Sequence, residues 1–444
     1  MAKLIEVVRN KLQNEIIQKY VKNISWLFVE KIFRIISGLF VGIWVARYLG
    51  PKDFGMFSYA MSFVGLFITV GSLGVDSILV RELVKSPERR NTLIGTSFLM
   101  KLVGAFLVFC LLFVFLSVSP NEQPINLMIW IIGGTVFFQS LNVIEFYFQS
   151  IVKSKYVVFA NLIALSISAG LKISFILTYQ PVIYFAGVFL LESIVFGFGL
   201  VYFYQNQKLN IKNWVIDVVV AKSILKDSWP LILTGLVISV YMKIDQVMIK
   251  HLLGDVAVGE YAVAVKLSEL WYFIPIVIVS SVYPALIEAK KNSEKLFKSR
   301  LQKLYDLMVW LAVIIAVPMT FLSDFVVTLL FGDAYENSGG VLMIHIWTGI
   351  FVFMGLAFSN YLTIENLTKK SFYRTALGAI VNVMLNFILI PKLGIKGGAV
   401  ATLIAQVTTN YLYDLFDKDL RSQFVMKSKS FFPLHYLIKS HNTD

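Results

Sequence analysis

The turn "RYLGPKDFGMFSYA" (residues 47–60) separates two strongly apolar stretches, and a similar turn, "HLLGDVAVGEYAVA" (residues 251–264), follows 204 residues later. The matching positions in this register are Gly50/Gly254, Gly55/Gly259, Phe57/Tyr261 and Ala60/Ala264. Glycine and proline are the strongest turn-forming residues, and Gly50 is followed directly by Pro51. The sequence therefore predicts the same turn between apolar helices made twice, in an internally duplicated fold.

The composition is that of a membrane protein. Of 444 residues, 57% are hydrophobic and 15% are charged, and the mean hydropathy is +0.74; soluble domains carry about 25% charged residues. Long apolar stretches recur along the whole chain, each of the roughly 20 residues that a bilayer core requires. We predict an all-α polytopic membrane protein with twelve transmembrane helices, at 25–48, 54–80, 93–117, 126–150, 156–178, 182–204, 228–251, 258–287, 304–325, 338–363, 372–390 and 396–416.

The basic residues predict the orientation. With the N-terminus in the cytoplasm, the cytoplasmic segments hold 29 Lys and Arg residues and the opposite side holds 5. This asymmetry is the positive-inside pattern of membrane proteins. The net charge of +13 is therefore mainly a topology signal, and nucleic acid is excluded as a partner. Both termini are expected in the cytoplasm.

The duplicated turn defines the domain organisation. Because six predicted spans separate the two copies, both turns face the same side, so the repeat is parallel and its axis runs along the membrane normal. A weaker match supports it: "VKSKYVVFANLIA" (152–164) precedes span five and "KKSFYRTALGAIV" (369–381) precedes span eleven. We predict a cytoplasmic amphipathic N-terminal segment, an N-lobe, a cytoplasmic amphipathic linker, a C-lobe and a cytoplasmic tail, at 1–24, 25–204, 205–227, 228–416 and 417–444.

The linker, the C-terminal tail and the single cysteine also carry structural predictions. The linker is interpreted as an interfacial helix with one apolar stripe, formed by Trp214, Val215, Val218, Val219 and Leu225, and the tail as a similar surface element. Simple anchoring is the favoured role for both. The single cysteine, Cys110, excludes an intramolecular disulfide and is predicted to be a buried thiol.

Three motifs resemble a known family. "RYLGPKDFGMFSYA", "GSLGVDSILVREL" (71–83) and "KIDQVMIKHLLGDVAVGEYAVAVKLSELWYFIPIVIVSSVYPAL" (243–286) resemble the polysaccharide transporters of the MOP exporter superfamily, which include O-antigen and exopolysaccharide flippases. The resemblance covers all predicted spans. It implies two pseudo-symmetric six-helix lobes around a central cavity, and transport of undecaprenyl-diphosphate-linked oligosaccharide to the outer leaflet. Members with fourteen spans would have two more than are predicted here.

Ionisable residues inside the spans supply the candidate site, because a charge at mid-bilayer costs a few kcal/mol and normally faces a cavity or a partner. Basic groups suit a diphosphate, arginine as a bidentate fork and lysine as a point charge. The substrate-binding candidates are Arg34, Lys172, Lys243, Lys31 and Lys266. The alternative is that each cation only pairs with a neighbouring acid. Glu30 with Arg34, and Lys266 with Glu269, are well spaced for that.

Carboxylates within the spans are candidates for binding a coupling proton or sodium ion. These are Asp245, Glu30, Glu192 and Glu269. Structural pairing is the favoured role for each one taken alone. Asp76, Lys101 and Glu145 lie nearer span ends and are interpreted as snorkelling side chains, and His345 as a polar packing residue.

The sequence contains no phosphate-binding GxxxxGK[ST] loop, no HExxH motif and no paired-cysteine metal spacing. We therefore expect no enzyme activity, cofactor or metal, and the short outer loops argue against a glycan polymerase. We predict a flippase of the bacterial inner membrane that works by alternating access. The alternative is an ion-coupled multidrug or metabolite antiporter of the related MATE class. The candidate charges do not decide, because six acids (Glu30, Asp76, Glu145, Glu192, Asp245, Glu269) match six bases (Lys31, Arg34, Lys101, Lys172, Lys243, Lys266); the motif resemblance favours the flippase. Expected partners are the bilayer, the lipid-linked oligosaccharide, and the polymerase and glycosyltransferases of its pathway.

Overall fold

The computed structural model describes residues 15–118 and 122–432, and within these ranges every regular element is helical. The predicted N-terminal amphipathic segment lies outside the described residues as far as residue 14, and the tail does so from residue 433. The all-α fold class is confirmed. Alternating apolar stretches and glycine turns produce this fold because a bilayer requires every backbone group to be hydrogen-bonded within its own segment.

The helices follow one another with short turns. In chain order they are α1 Glu15–Gly65, α2 Ile68–Ser72, α3 Val75–Lys85, α4 Arg90–Val118, α5 Gln123–Gly133, α6 Thr135–Gln139, α7 Val143–Ser150, α8 Lys155–Leu177, α9 Val182–Asn206, α10 Val218–Leu253, α11 Asp255–Glu269, α12 Phe273–Asn292, α13 Glu294–Phe331, α14 Asn337–His345, α15 Thr348–Ile364, α16 Thr368–Leu393, α17 Ile395–Val407, α18 Tyr413–Phe416 and α19 Arg421–Ser430. A π-helical turn, Thr408–Leu412, joins α17 to α18.

Within residues 15–118 and 122–432, ten helical stretches are long and apolar enough to cross a membrane. The predicted spans 54–80 and 396–416 have no separate counterpart among the ten. The first is interrupted at Leu66–Phe67 and again at Leu73–Gly74, and the second contains the π-helical turn. These interruptions leave continuous pieces shorter than a bilayer core requires. The number twelve stays a prediction.

The duplicated turn has the same backbone geometry in both copies. Gly50 has φ 69° and ψ 173°, and Gly254 has φ 89° and ψ −175°. This region of backbone conformation is essentially restricted to glycine. The duplication extends into the helices that follow, because the interruption at Leu66–Phe67 returns 204 residues later in the 3₁₀ turn Leu270–Tyr272.

Side-chain and backbone contacts divide the chain into two compact units. The first runs to Tyr48 and resumes over Phe63–Ser239, and the second takes Leu49–Ser62 together with the described residues from Val240 onward. The first unit has a core that includes Leu79, Ile94, Phe148 and Tyr204. The second has a core that includes Leu301, Tyr305, Phe353 and Phe358. The predicted lobe boundaries at 25–204 and 228–416 stay a prediction.

In the second unit the two copies of the turn pack against each other through glycines. A Cβ atom added to Gly55 would collide with the backbone of Asp255, and one added to Gly259 would collide with the backbone of Pro51. Only glycine permits this approach of one backbone to another. The two copies of the turn therefore meet at one contact. In each copy, the glycine leaves the space that the backbone of the other copy occupies.

We expect Gly259→Ala to lower the free energy of unfolding by about 1–3 kcal/mol, because the added methyl forces the two backbones apart. The measurement is the thermal midpoint of the detergent-solubilised protein. Gly38→Ala on α1 is the control: no atom lies within 4 Å of its added Cβ, so this change is expected to raise stability by up to about 1 kcal/mol through helix propensity. Equal midpoints for both variants would contradict the close-packing assignment.

Two expectations for smaller segments are wrong. The linker is not an interfacial helix: it forms the 3₁₀ turn Ile211–Asn213 and a short extended stretch, and α10 already begins at Val218. The stretch is fixed to the first unit because the Val215 amide donates to the Asn91 carbonyl and the Asp217 amide to the Thr96 hydroxyl. The second wrong expectation concerns Cys110, which is exposed on a helix whose outer surface suits lipid.

Candidate functional site

The first unit pairs two of the predicted site residues on one face of α1. The Arg34 guanidinium lies 2.9 Å from the Glu30 carboxylate, as the four-residue spacing indicates. The same carboxylate accepts a 2.5 Å hydrogen bond from the Asn161 side chain on α8. Half of the Arg34 side chain nevertheless remains exposed, so the guanidinium can contact a further anion while it is paired with Glu30. Lys31 is exposed, with no ion pair to any residue that the structure describes.

A second pair in this unit joins α8 to α9. The Lys172 ammonium lies 3.7 Å from the Glu192 carboxylate, which is longer than the 2.7–2.9 Å of a charge-assisted hydrogen bond. Both side chains are partly exposed. Lys172 therefore combines a nearby counter-charge with N–H donors that remain available to another anion.

The snorkelling interpretation is wrong for Lys101. Its side chain is buried, its ammonium donates a 2.7 Å hydrogen bond to Asp76, and it lies over the ring of Phe146. Glu145 is within electrostatic range of the same pair. Sequence spacing does not reveal this group, because Asp76 and Lys101 come from α3 and α4, which only the tertiary fold brings together.

Asp245 on α10 is the most enclosed of the predicted acids in the second unit. The residue is 6% exposed, and its carboxylate accepts hydrogen bonds from the Tyr261 hydroxyl at 2.8 Å and the Thr402 hydroxyl at 2.5 Å. The Asn386 amide donates a third, at 2.6 Å. Within the described ranges, no Lys, Arg or His nitrogen lies within 4.0 Å of it. A buried carboxylate is thus stabilised by neutral donors alone.

These groups border a small cavity of about 20 Å³, which is enough for one water-sized occupant. Its lining includes Asp245, Glu269, Tyr272, His345 and Gln406. Two helix interruptions meet the lining, because α11 ends at Glu269 and α14 ends at His345. Interrupted helices with exposed backbone groups are where membrane transporters place their binding sites.

Of the other charged or polar residues predicted for the second unit, Glu269 and His345 line this cavity, and Lys243 and Lys266 do not. Lys243 is half-buried and within electrostatic range of Glu269. His345 is buried and its Nδ1 lies 3.0 Å from the Ser268 hydroxyl, which agrees with the packing role expected for it. Lys266 is half-buried on α11.

One buried charged cluster was missed. Asp414 and Lys427 are fully buried and lie 2.7 Å apart, and Lys427 also donates to the Asn410 carbonyl at 2.8 Å. Arg374 is buried beside them and donates to the Asn410 side chain. Burial lowers the pKa of Lys427 to about 8. The sequence placed Lys427 in a surface tail, and the polar character of α19 gave no signal that this face would be buried.

Comparison with known proteins places this arrangement in a family. The family model for polysaccharide biosynthesis proteins matches residues 20–290, and the MatE model matches residues 230–388. Two relatives are a capsular polysaccharide biosynthesis protein, CapF, from Staphylococcus aureus (22% identical, covering 90% of this chain and 99% of the relative) and a putative O-antigen transporter from Shigella dysenteriae (24% identical, 87% and 97%).

Among solved structures, an inward-facing multidrug resistance MATE transporter of the MOP superfamily superposes with a TM-score of 0.73 at 15% identity, covering 92% of this chain and 99% of that one. The lipid II flippase MurJ superposes with a TM-score of 0.71 at 17% identity, covering 94% and 93%. These similarities establish the fold, and the match over residues 20–290 includes well over half of the chain. The chain is a multi-pass membrane protein that belongs to the polysaccharide biosynthesis protein family.

Proposed function

We propose that this protein flips an undecaprenyl-diphosphate-linked oligosaccharide from the cytoplasmic to the outer leaflet of the bacterial inner membrane, by alternating access and with both termini in the cytoplasm. The observation that carries the proposal is the family match over residues 20–290. Glycosyltransferases would supply the substrate and a polysaccharide polymerase would consume the product. The chain itself carries no catalytic step in this scheme.

The basic residues support recognition of the diphosphate. Arg34 is half-exposed despite its pair, Lys31 is exposed, and the Lys172 ammonium is held only loosely by Glu192. A diphosphate offers several anionic oxygens that such donors bind in place of water. We assign Arg34, Lys172 and Lys243 as the principal contacts of the head group, and Lys31 and Lys266 as secondary ones.

The cavity beside Asp245 supports a site for the coupling ion. A buried carboxylate with no cationic partner is costly, and a proton or a sodium ion would neutralise it. The surrounding donor set is rich in oxygen, and the Asn386 side-chain oxygen is buried without a hydrogen-bond partner among the described residues. Hard cations prefer oxygen ligands. Asp245, Asn386 and Thr402 would hold the ion, and Glu269 in the same cavity lining would supply a second negative charge. Glu30 and Glu192, each engaged by a basic residue, are weaker candidates.

A second candidate function is favoured by one observation, the MatE match over residues 230–388. It would make the protein an ion-coupled antiporter of multidrug or metabolite substrates. The two functions differ in the charge of the cargo, because a drug of that class is cationic and a lipid diphosphate is anionic. Export of ethidium from vesicles, without movement of a lipid-linked glycan, would favour the antiporter.

The test is movement of a fluorescent undecaprenyl-diphosphate-linked oligosaccharide across reconstituted vesicles. The triple variant Arg34→Ala, Lys172→Ala, Lys243→Ala is expected to reduce the rate at least about tenfold, since it removes three charge-assisted contacts of about 1.5–3 kcal/mol each. The matched control removes three exposed cations, Lys208, Lys212 and Lys222, and should leave the rate unchanged. Undiminished movement in the first variant would overturn the site assignment, and no movement in the unmodified protein would overturn the proposed function.

A further inference from the structure

Arg374 on α16 is a buried cation that only neutral groups hold. The residue is 5% exposed, and its guanidinium donates 3.2 Å hydrogen bonds to the Asn410 side-chain oxygen and to the Ser359 hydroxyl. The ring of Phe358 lies 4.8 Å from it. Among the residues that the structure describes, its Nε has no hydrogen-bond partner and no carboxylate lies within 4.0 Å of the guanidinium. Because a buried charge without an ion pair is costly, a more distant counter-charge is indicated.

The charges nearest to Arg374 do not balance it. Asp414 is within electrostatic range of Arg374, but its carboxylate is already paired with Lys427. Asp417, which is within electrostatic range of Asp414, is engaged by Lys370. The buried part of this cluster therefore contains two cations and one anion. One positive charge remains unmatched in the interior of the second unit.

A hydrogen-bonded chain joins Arg374 to the cavity beside Asp245. The Asn410 side chain accepts from Arg374 and donates to the Gln406 side-chain oxygen at 2.7 Å, and Gln406 lines the cavity. Asn410 lies in the π-helical turn, an irregularity that often marks functional sites. Gly355 leaves the space that the Asn410 amide occupies, because an added Cβ would collide with it. The packing therefore maintains a polar connection between the guanidinium and the cavity.

Asp245 is the complementary case, a buried carboxylate that neutral donors hold. The Tyr241 side chain lines the cavity and is within electrostatic range of both Asp245 and Arg374. Glu269, the other acid of the lining, is within electrostatic range of Lys243. One unmatched charge of each sign is thus left within reach of the same tyrosine.

We propose that Arg374 is the remote counter-charge of Asp245 and sets how tightly that carboxylate holds the coupling cation. The proposal rests on the ion site of the proposed function and adds the residue that tunes its affinity. Before a cation binds, the guanidinium offsets the carboxylate charge; after it binds, the same guanidinium repels the cation. An ion held in this way also leaves readily, and movement across a membrane requires binding that is weak enough for release.

The separation of the two charges determines the size of the effect. Thr402, which donates to Asp245, and Asn410, which accepts from Arg374, lie eight residues apart along α17 and the π-helical turn. This spacing corresponds to about 12 Å at about 1.5 Å per residue. Two unit charges at about 12 Å, in a medium of effective dielectric constant about 20, change an equilibrium constant about tenfold. Removal of the guanidinium charge should therefore strengthen cation binding.

The experiment measures sodium-dependent stabilisation of the full-length protein in detergent, because a ligand stabilises the state that it binds. The thermal midpoint is recorded against sodium chloride, with choline chloride keeping the ionic strength constant, and the half-saturating sodium concentration is the readout. Arg374→Gln removes the charge, and Arg374→Lys keeps it. Ser359→Asp is a second neutralising variant, which keeps the arginine and places a carboxylate beside it. The matched control is Arg300→Gln, a half-buried guanidinium of the same unit that donates to the Ala285 carbonyl.

We expect Arg374→Gln and Ser359→Asp to lower the half-saturating sodium concentration about five- to tenfold, and Arg374→Lys and Arg300→Gln to leave it within about twofold. The gain should disappear when Asp245→Asn is added. A purely structural role for Arg374 predicts lower stability without tighter sodium binding. An unchanged, weaker or absent sodium response in the neutralising variants would overturn the counter-charge assignment.

The sodium measurement involves no glycan, so it is independent of the transported substrate. Tighter sodium binding in the neutralising variants of a protein that moves no lipid-linked glycan would leave the counter-charge standing and overturn the proposed function. Glycan movement by the unmodified protein, together with unchanged sodium binding in the neutralising variants, would leave the proposed function standing and overturn the role of Arg374.

Discussion

Asp245→Asn is expected to abolish the dependence of transport on an ion gradient and to lower the transport rate at least about tenfold, within the range of about 5- to 150-fold that is typical of a coupling free energy. The substitution keeps the shape of the side chain but removes its charge. The Tyr261 and Thr402 hydroxyls, which now donate to it, would meet a neutral amide that cannot attract a cation. The measurement is glycan movement in vesicles under an imposed sodium or proton gradient.

A binding measurement separates the role of this carboxylate from general damage. If sodium is the coupling ion, it should raise the thermal midpoint of the unmodified protein, because a ligand stabilises the state that it binds, and it should not raise that of Asp245→Asn. If the proton is the ion, the transport rate should follow the pH gradient and sodium should have no effect. Asp333→Asn, which removes a charge from an exposed turn of the same unit, is the control. Retained gradient dependence in Asp245→Asn would exclude Asp245 as the coupling site.

Asp414→Asn is expected to destabilise the protein by about 3–5 kcal/mol, the largest loss of stability predicted here, because it leaves Lys427 buried without its counter-charge. Both side chains are fully buried, so water cannot replace the lost carboxylate. The thermal midpoint in detergent measures this. The double variant Asp414→Asn, Lys427→Met should recover most of the loss, since an apolar side chain removes the stranded charge. A double variant as unstable as the single one would contradict the ion-pair explanation.

The pH dependence provides an independent check on the same cluster. Burial lowers the pKa of Lys427 to about 8, whereas an exposed lysine titrates near about 10.4. Between these values the unfolded chain binds more protons than the folded protein, so stability rises with pH across this window. The rise should begin at lower pH and be larger in total in Asp414→Asn, which has lost the charge that favours the protonated lysine, and it should be absent in Lys427→Met.

Features that depend on local or averaged properties of the chain were predictable. The apolar stretches gave the helical membrane class, and the spacing of Glu30 and Arg34 gave their pair, because residues four apart on a helix are neighbours wherever the helix lies. The glycine turn was predictable for the same reason, since the positive φ of Gly50 and Gly254 is a local requirement. The number of spans could not be predicted from apolar stretches alone. Helix interruptions such as Leu66–Phe67 lie within apolar sequence, so hydropathy does not reveal them.

Features that depend on distant segments were not predictable. Asp245 was identified as a candidate from its position in a span, but its three hydrogen-bond partners come from positions 261, 386 and 402. Lys427 was assigned to a surface tail because its helix is polar. The polar face of that helix is buried against the second unit, where Tyr305 donates to Gln423 at 2.9 Å.

The sequence by itself thus determined the membrane class, the duplicated glycine turn and the family, because hydropathy, backbone conformation and motif are carried by residues close together in the chain. Tertiary structure alone decided which charges are paired and which carboxylate is buried without a cation. Those properties depend on desolvation and on distances between helices that are far apart in sequence. The backbone contact between the two copies of the turn at Gly55 and Gly259 is a property of the same kind, because it joins segments about 200 residues apart.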